Sequence, residues 1–155
     1  MYSRLVELNR ESCIVLPSKL VLSSPWLDIS LSHTPPHVIR EFGKSDYLSL
    51  SILSAWRDNC IGKSNPRDPN VSPFFSLDPL PLPVGGVLLT YGTGEVFAPV
   101  IEEWIRFMEK HTKTLTVIKG HDMPHSYPIL LHLVPSSGHA AANRALFEIS
   151  KFLTV

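Results

Sequence analysis

Three short apolar runs along the chain predict buried β-strands. They cover residues 19–23, 87–91 and 114–119, and proline, glycine or polar residues lie next to each run. Between these runs, apolar residues recur at helical spacing. That spacing predicts helices beginning at Ser45, over residues 97–108 and from about Ser137, with a short helical segment over residues 2–9.

The helix over residues 97–108 has the clearest pattern, because one apolar stripe faces a charged side. The last helix is predicted to bury a similar stripe. The predicted buried positions are Phe97, Ile101, Trp104, Ile105 and Met108 in the first of these helices, and Ala142, Ala145, Leu146, Ile149, Phe152 and Leu153 in the second.

Helices and strands therefore alternate, which is typical of an α/β fold with right-handed crossovers and a parallel sheet covered by helices. We expect one domain over residues 1–155, with a long proline-rich surface loop at residues 61–83. In such sheets ligands bind beyond the carboxyl ends of the strands. The residues that follow each strand are therefore the candidate catalytic and ligand-binding residues.

Composition narrows the class of protein. The 155 residues hold 14 Lys+Arg and 14 Asp+Glu, a balance that argues against a nucleic-acid partner. No apolar run is long enough to span a membrane and no signal peptide is recognisable, so a soluble, cytoplasmic location is the default expectation. The two cysteines, Cys13 and Cys60, lack the spacing of a zinc or redox pair and are predicted to be buried thiols.

Chemically useful side chains follow two of the predicted strands. Glu95 comes after the second strand, and His121 comes directly after the third. A carboxylate that orients an imidazole could supply the acid and base of a nucleophilic triad. On spacing alone, Glu95 is equally well explained as an acidic residue in the first turn of a helix.

Several short motifs, in this order, resemble one family. The element Ser24-Pro25-Trp26-Leu27-Asp28 after the first strand is followed by Ser72-Pro73, Leu82-Pro83, Gly92-x-x-Glu95-x-Phe97 and His121-Asp122-x-Pro124. Together they resemble α/β-hydrolase esterases of the hormone-sensitive-lipase type, a group that includes arylacetamide deacetylases and fungal steryl acetyl hydrolases. The resemblance implies a three-layer α/β-hydrolase fold, of which this chain matches the C-terminal part, with the last three parallel strands and their flanking helices.

The same resemblance implies site residues and an activity. It makes Glu95 the triad acid and His121 the base in the hydrolysis of small acyl esters or aryl amides, with no metal and no cofactor. His125 would restore the longer acid-to-histidine spacing of the family, but the Asp122-x-Pro124 context favours His121. The small cluster of His121, Asp122 and His125 is a weak metal candidate, because Pro124 prevents a helical presentation of the two imidazoles.

The family's nucleophile motif, G-x-S-x-G, does not occur in these 155 residues. The sequence therefore predicts a partial hydrolase domain without the half that carries the nucleophile elbow, and little activity from this chain alone. Ser24 is the first serine to test if activity is found. The alternative is a non-catalytic remnant or interaction protein.

Gly43-Lys44-Ser45 and Gly62-Lys63-Ser64 lack the earlier glycine of a phosphate loop. We also expect self-association through an exposed edge at the first strand.

Overall fold

Three parallel strands form the centre of the computed structural model, which describes residues 15–76, 82–130, 134 and 136–154. The strands are β1 (Leu20–Ser23), β2 (Val87–Gly92) and β3 (Leu115–Gly120), and the sheet order is β1-β2-β3. Leu22 pairs with Leu89, and Leu89 pairs with Val117. This confirms the α/β fold class and the three predicted strands.

In the described ranges, four helices connect or flank the strands. They are α1 (Pro36–Phe42), α2 (Leu50–Ile61), α3 (Ala98–Glu109) and α4 (His139–Thr154), with short 3₁₀ turns at Pro73–Phe75 and Ser136–Gly138. The helical segment predicted over residues 2–9, and Cys13, lie outside the described residues. None of the described helices is long and apolar enough to cross a membrane.

The main core lies between one face of the sheet and α3. All five residues of the predicted apolar stripe, Phe97, Ile101, Trp104, Ile105 and Met108, are buried there. The core also contains side chains from β2 and from the loop after β1, including Leu89, Tyr91 and Leu27. This packing fixes the start of α3, and therefore the loop that connects it to β2.

The opposite face of the sheet carries a smaller core against α4. Ala142 and Ala145 are buried as predicted, but Leu146 and Leu153 are 40% and 56% exposed. The stripe was therefore predicted too wide, because Ala142 and Ala145 belong to the smaller core and Leu146 and Leu153 do not. The Lys19 ammonium donates to the Phe152 carbonyl at 2.7 Å, which joins the end of α4 to the residue before β1.

The segment between β1 and β2 departs most from the sequence-based expectation. It contains the unpredicted helix α1, which has Pro36 in its first turn. The helix expected from Ser45 begins instead at Leu50, where Ser49 accepts a hydrogen bond from the Ile52 N–H at 3.3 Å. Cys60 on α2 is exposed, so the prediction of a buried thiol was wrong. Loops that follow the three strands, rather than these helices, form the candidate site.

Candidate active site

The loops after β2 and β3 cross at very short range. The Gly94 N–H donates to the Met123 carbonyl at 3.1 Å, and the Asp122 N–H donates to Thr93 Oγ1 at 2.9 Å. A Cβ atom on Gly92 would lie 1.9 Å from the Met123 oxygen, so only glycine permits this crossing. The crossing brings the residues after β3 over the carboxyl end of β2.

Glu95 lies in the turn between β2 and α3, and its side chain is completely buried. Its Oε2 atom accepts two hydrogen bonds, from the Ser24 hydroxyl at 2.6 Å and from the Gly92 N–H at 2.9 Å. Within the described residues its other oxygen, Oε1, has no hydrogen-bond partner. The carboxylate is therefore held by one oxygen while the other remains available.

His125 faces that available oxygen. Its Nδ1 atom lies 3.7 Å from Glu95 Oε1, and the imidazole side chain is only 15% exposed. The ring lies edge-on to Phe97 and Tyr47, with centroid separations of 5.4 and 5.9 Å. Across the described ranges, His125 Nδ1 also lacks a hydrogen-bond partner. The acid and the imidazole are thus a buried pair whose facing atoms have no other bond.

His121 occupies a different environment. Its side chain is 89% exposed, and its Nδ1 atom lies 2.9 Å from the carboxylate of the neighbouring Asp122. The expectation that His121 would lie beside Glu95 is therefore wrong. The physical reason is the path of the loop: β3 ends at Gly120, and His121 leaves the sheet toward solvent. Asp122 then adopts a left-handed conformation, with φ of 54°, and the chain turns back to place His125 over Glu95.

Asp46 is a site residue that sequence reasoning missed. Its Oδ2 atom accepts from the Val96 N–H at 2.8 Å, and its Oδ1 atom accepts from the N–H groups of Tyr47 at 2.8 Å and His125 at 3.3 Å. The Ser45 hydroxyl adds a bond to the Gly94 carbonyl at 2.8 Å. The sequence predicts Ser45 only as the start of a helix, because nothing in the local sequence indicates a contact with residues 94–96.

Ser24 links the acid to the histidine loop. Its hydroxyl donates to Glu95 and accepts from the Ser126 N–H at 2.8 Å, and the side chain is buried. A nucleophilic serine donates its proton to the imidazole base, whereas this hydroxyl donates to the carboxylate. Ser24 is therefore not placed as a nucleophile in this structure.

Burial and the carboxylates of the site raise the pKa of two tyrosines. Burial and the Glu95 carboxylate raise the pKa of Tyr127 to about 12. Burial, together with the carboxylates of Asp46 and Glu95, raises the pKa of Tyr47 to about 12. Both phenols therefore stay protonated and uncharged throughout the physiological pH range. Tyr47 lies at the exposed rim, where its ring covers one side of His125.

The predicted Ser-Pro-Trp-x-Asp element stabilises the loop after β1. The Asp28 carboxylate is buried and accepts from Ser30, from Ser32, and from both the N–H and the ring of His33. Burial opposes ionisation of Asp28, but these hydrogen bonds outweigh it and lower the pKa of its carboxyl. The Trp26 ring stacks on Phe97 at 5.3 Å. The element thus supports the turn that contains Ser24.

No group of three or more His, Cys, Asp or Glu residues in the described part of the chain could hold a metal ion. The chemistry that this arrangement supports is proton transfer by an imidazole, oriented and electrostatically stabilised by a buried carboxylate.

No family model matches the chain, and no curated protein matches it. Solved structures do. The crystal structure of EstE5 matches with a TM-score of 0.70 at 17% identity over 98% of this chain. An esterase from the bacterial hormone-sensitive lipase family matches with a TM-score of 0.67 at 21% identity over 94% of this chain. A putative esterase from Staphylococcus aureus matches with a TM-score of 0.66 at 24% identity over 93% of this chain.

The chain spans about half the length of these proteins, namely 49%, 47% and 46% of their chains. The described residues therefore have an α/β-hydrolase fold, over about half the length that it has in these proteins. This confirms the fold implied by the motifs around Ser24 and Glu95.

Proposed function

We propose that this chain contributes the acid and the base of a carboxylic ester hydrolase site, with Glu95 as the acid and His125 as the base. One observation carries the proposal. A completely buried carboxylate and a largely buried imidazole face each other at 3.7 Å, and in the described residues neither facing atom has another hydrogen bond. Two buried polar atoms without partners are costly unless they serve each other.

The geometry suits the histidine of a nucleophilic triad. If Nδ1–H of His125 points at Glu95 Oε1, the tautomer is set and Nε2 is the free nitrogen that accepts the proton of a nucleophilic hydroxyl. The observed separation exceeds a hydrogen bond by roughly 0.5 to 1 Å. Catalytic hydrogen bonds are often this loose without substrate and shorten in the reactive complex.

The nucleophile is not among the candidates in this chain. The 155 residues contain no G-x-S-x-G motif, and the Ser24 hydroxyl is committed to Glu95. The proposal therefore assigns the serine nucleophile and the oxyanion hole to polypeptide outside these 155 residues. It follows that the chain by itself should not hydrolyse esters.

Support for an ester substrate comes from the comparisons and from the motifs. The matching structures include proteins described as esterases. The Ser24-Pro25-Trp26-Leu27-Asp28 element resembles that of esterases of the hormone-sensitive-lipase type, a group that includes arylacetamide deacetylases. We therefore propose a small-molecule ester, with a short acyl group, as the substrate class.

The decisive experiment is to translate the transcript upstream of Met1 in the same reading frame and to express the longest protein that it encodes. We expect an in-frame G-x-S-x-G and measurable hydrolysis of p-nitrophenyl butyrate. His125→Gln and Glu95→Gln should lower kcat by about 10⁴-fold or more, as removal of triad members does elsewhere. His121→Gln is the matched control and should leave kcat nearly unchanged, because His121 is exposed.

Two results would overturn the assignment. A loss of activity on His121→Gln with His125→Gln still active would reverse the choice of base. An upstream frame that encodes no nucleophile motif, together with an inactive product, would remove the hydrolase function and favour the alternative of a non-catalytic remnant.

A further inference from the structure

Ser24 occupies a backbone conformation that favours glycine. Its φ is 45°, in the left-handed region, which costs a residue with a side chain roughly 1 kcal/mol or more. A glycine would avoid that cost, but the residue here is a serine whose hydroxyl makes two hydrogen bonds. Strained positions of this kind concentrate at functional sites. The hydroxyl is therefore what distinguishes serine from glycine at this position.

The two bonds of the Ser24 hydroxyl join the acid to the loop of the base. It donates to Glu95 Oε2 at 2.6 Å and accepts from the N–H of Ser126, the residue after His125, at 2.8 Å. Ser126 itself has a φ of 53°, so the backbone turns sharply at this contact. One hydroxyl thus sets the position of both halves of the proposed pair.

The bond to Oε2 also determines which carboxylate oxygen meets the imidazole. Ser24 and the Gly92 N–H both bind Oε2, and Oε1 is left facing His125 Nδ1. Without the hydroxyl, the Gly92 N–H alone would hold the carboxylate, and a single bond does not fix rotation of the carboxylate plane. The orientation of the acid therefore depends on a residue whose described hydrogen bonds go to the carboxylate and to the Ser126 N–H rather than to the imidazole.

We infer that Ser24 is a positioning residue for the Glu95–His125 pair, which it orients through the carboxylate and through the Ser126 N–H. The inference rests on the proposed function, because it assigns Ser24 a role in a triad rather than only in folding. The left-handed turn after β1 therefore places the Ser24 hydroxyl as well as connecting β1 to the Trp26 element.

The test is proton NMR of the full 155-residue chain, reading the low-field signal of the largely buried His125 ring N–H, which faces the Glu95 carboxylate. One low-field signal of the wild-type chain should be absent from His125→Gln, which distinguishes it from any signal of His33, whose ring bonds the Asp28 carboxylate. Glu95→Gln should also abolish it. Ser24→Ala and Ser24→Gly should each abolish the signal or shift it upfield.

Two variants separate positioning from folding. Ser24→Gly removes the hydroxyl but suits a φ of 45°, so it should fold even if Ser24→Ala does not. Ser45→Ala is the matched control, because it removes a hydroxyl that bonds the Gly94 carbonyl without touching the Glu95 carboxylate. Circular dichroism confirms folding of each variant, and the Ser45→Ala signal should match wild type.

The outcomes distinguish the inference from the function on which it rests. If Glu95→Gln abolishes the signal but a folded Ser24→Gly variant retains it unchanged, the positioning role is overturned and the acid–base pair stands. If the wild-type chain shows no signal, or Glu95→Gln retains it, the pair itself is wrong and the inference falls with it. Loss of the signal in Ser45→Ala as well would also overturn the inference, since any loop contact would then suffice.

Discussion

The carboxylate of Asp46 accepts a hydrogen bond from the Val96 N–H at 2.8 Å, although 50 positions separate the two residues. Through its other oxygen, Asp46 also accepts from the His125 N–H at 3.3 Å. A residue before α2 therefore joins the loop after β2 to the loop after β3. The acid and the histidine are held from the α2 side by Asp46 and from the β1 side by Ser24.

Replacement of Asp46 should destabilise the fold. Asp46→Ala leaves the buried Val96 N–H without its acceptor, and loss of such a charge-assisted bond costs about 2 to 3 kcal/mol. Urea unfolding at pH 7 measures this change. Asp58→Ala is the control, because Asp58 is exposed and pairs only with its neighbour Arg57 among the contacts described. Equal effects of the two substitutions would contradict the bridging role of Asp46.

Asp28→Asn should destabilise the protein in a pH-dependent way. The pKa of Asp28 is lowered in the folded state, so its contribution is present above the unfolded value, near 3.8, and is lost as pH falls through the folded value. At pH 7, exchanging the carboxylate for an amide should cost about 1 to 3 kcal/mol, because an amide NH₂ would face the donors of Ser32 and His33.

The measurement compares wild type and Asp28→Asn in urea at pH 7, 5 and 3. The difference in unfolding free energy should be similar at pH 7 and 5 and should shrink toward pH 3. A difference that stays constant down to pH 3 would show that the ionised carboxylate is not what stabilises the loop after β1.

Two glycine substitutions should differ sharply in their effect. A methyl group at Gly92 would meet the Met123 carbonyl at 1.9 Å, where backbone must move, while one at Gly94 would meet its nearest atoms at 3.3 Å. Gly92→Ala should therefore destabilise by about 3 kcal/mol or more, and Gly94→Ala by about 1 kcal/mol. Thermal unfolding of both variants tests this order, and a tolerated Gly92→Ala would show that the two loops need not cross closely.

The β1 strand should mediate self-association of this chain. In the described sheet β1 pairs only with β2, and the N–H groups of Leu20 and Ser24 point toward the β2 side. Because bonding alternates along a parallel strand, the Val21 N–H points to the open side. We expect oligomers or aggregates at micromolar concentration in light scattering.

Val21→Pro should reduce that association, because proline removes the outward N–H without removing a bond to β2. Val15→Pro is the matched control, since Val15 is exposed but lies outside the strand. A monodisperse monomer of the wild-type chain, or equal behaviour of the two variants, would contradict association through this edge.

Local patterns in the sequence were sufficient to predict the sheet and the best-packed helix. The apolar runs at β1, β2 and β3 and the stripe on α3 are patterns among residues a few positions apart. They can therefore be recognised from the sequence without knowledge of the fold. The exposed residues of α4, such as Leu146, were predicted wrongly because their burial depends on what packs against the helix. Periodicity shows that a face is apolar, but only packing determines how much of that face is covered.

For the site, the sequence by itself placed Glu95 at the carboxyl end of a central strand, because the end of β2 and the start of α3 are both visible as patterns. The Asp122-x-Pro124 context favoured His121 over His125, although both lie in the same loop after β3. The choice between them depends on the left-handed turn at Asp122 and on the close crossing that Gly92 permits. These are distances between separate loops, so only the tertiary structure decides which imidazole meets the buried carboxylate.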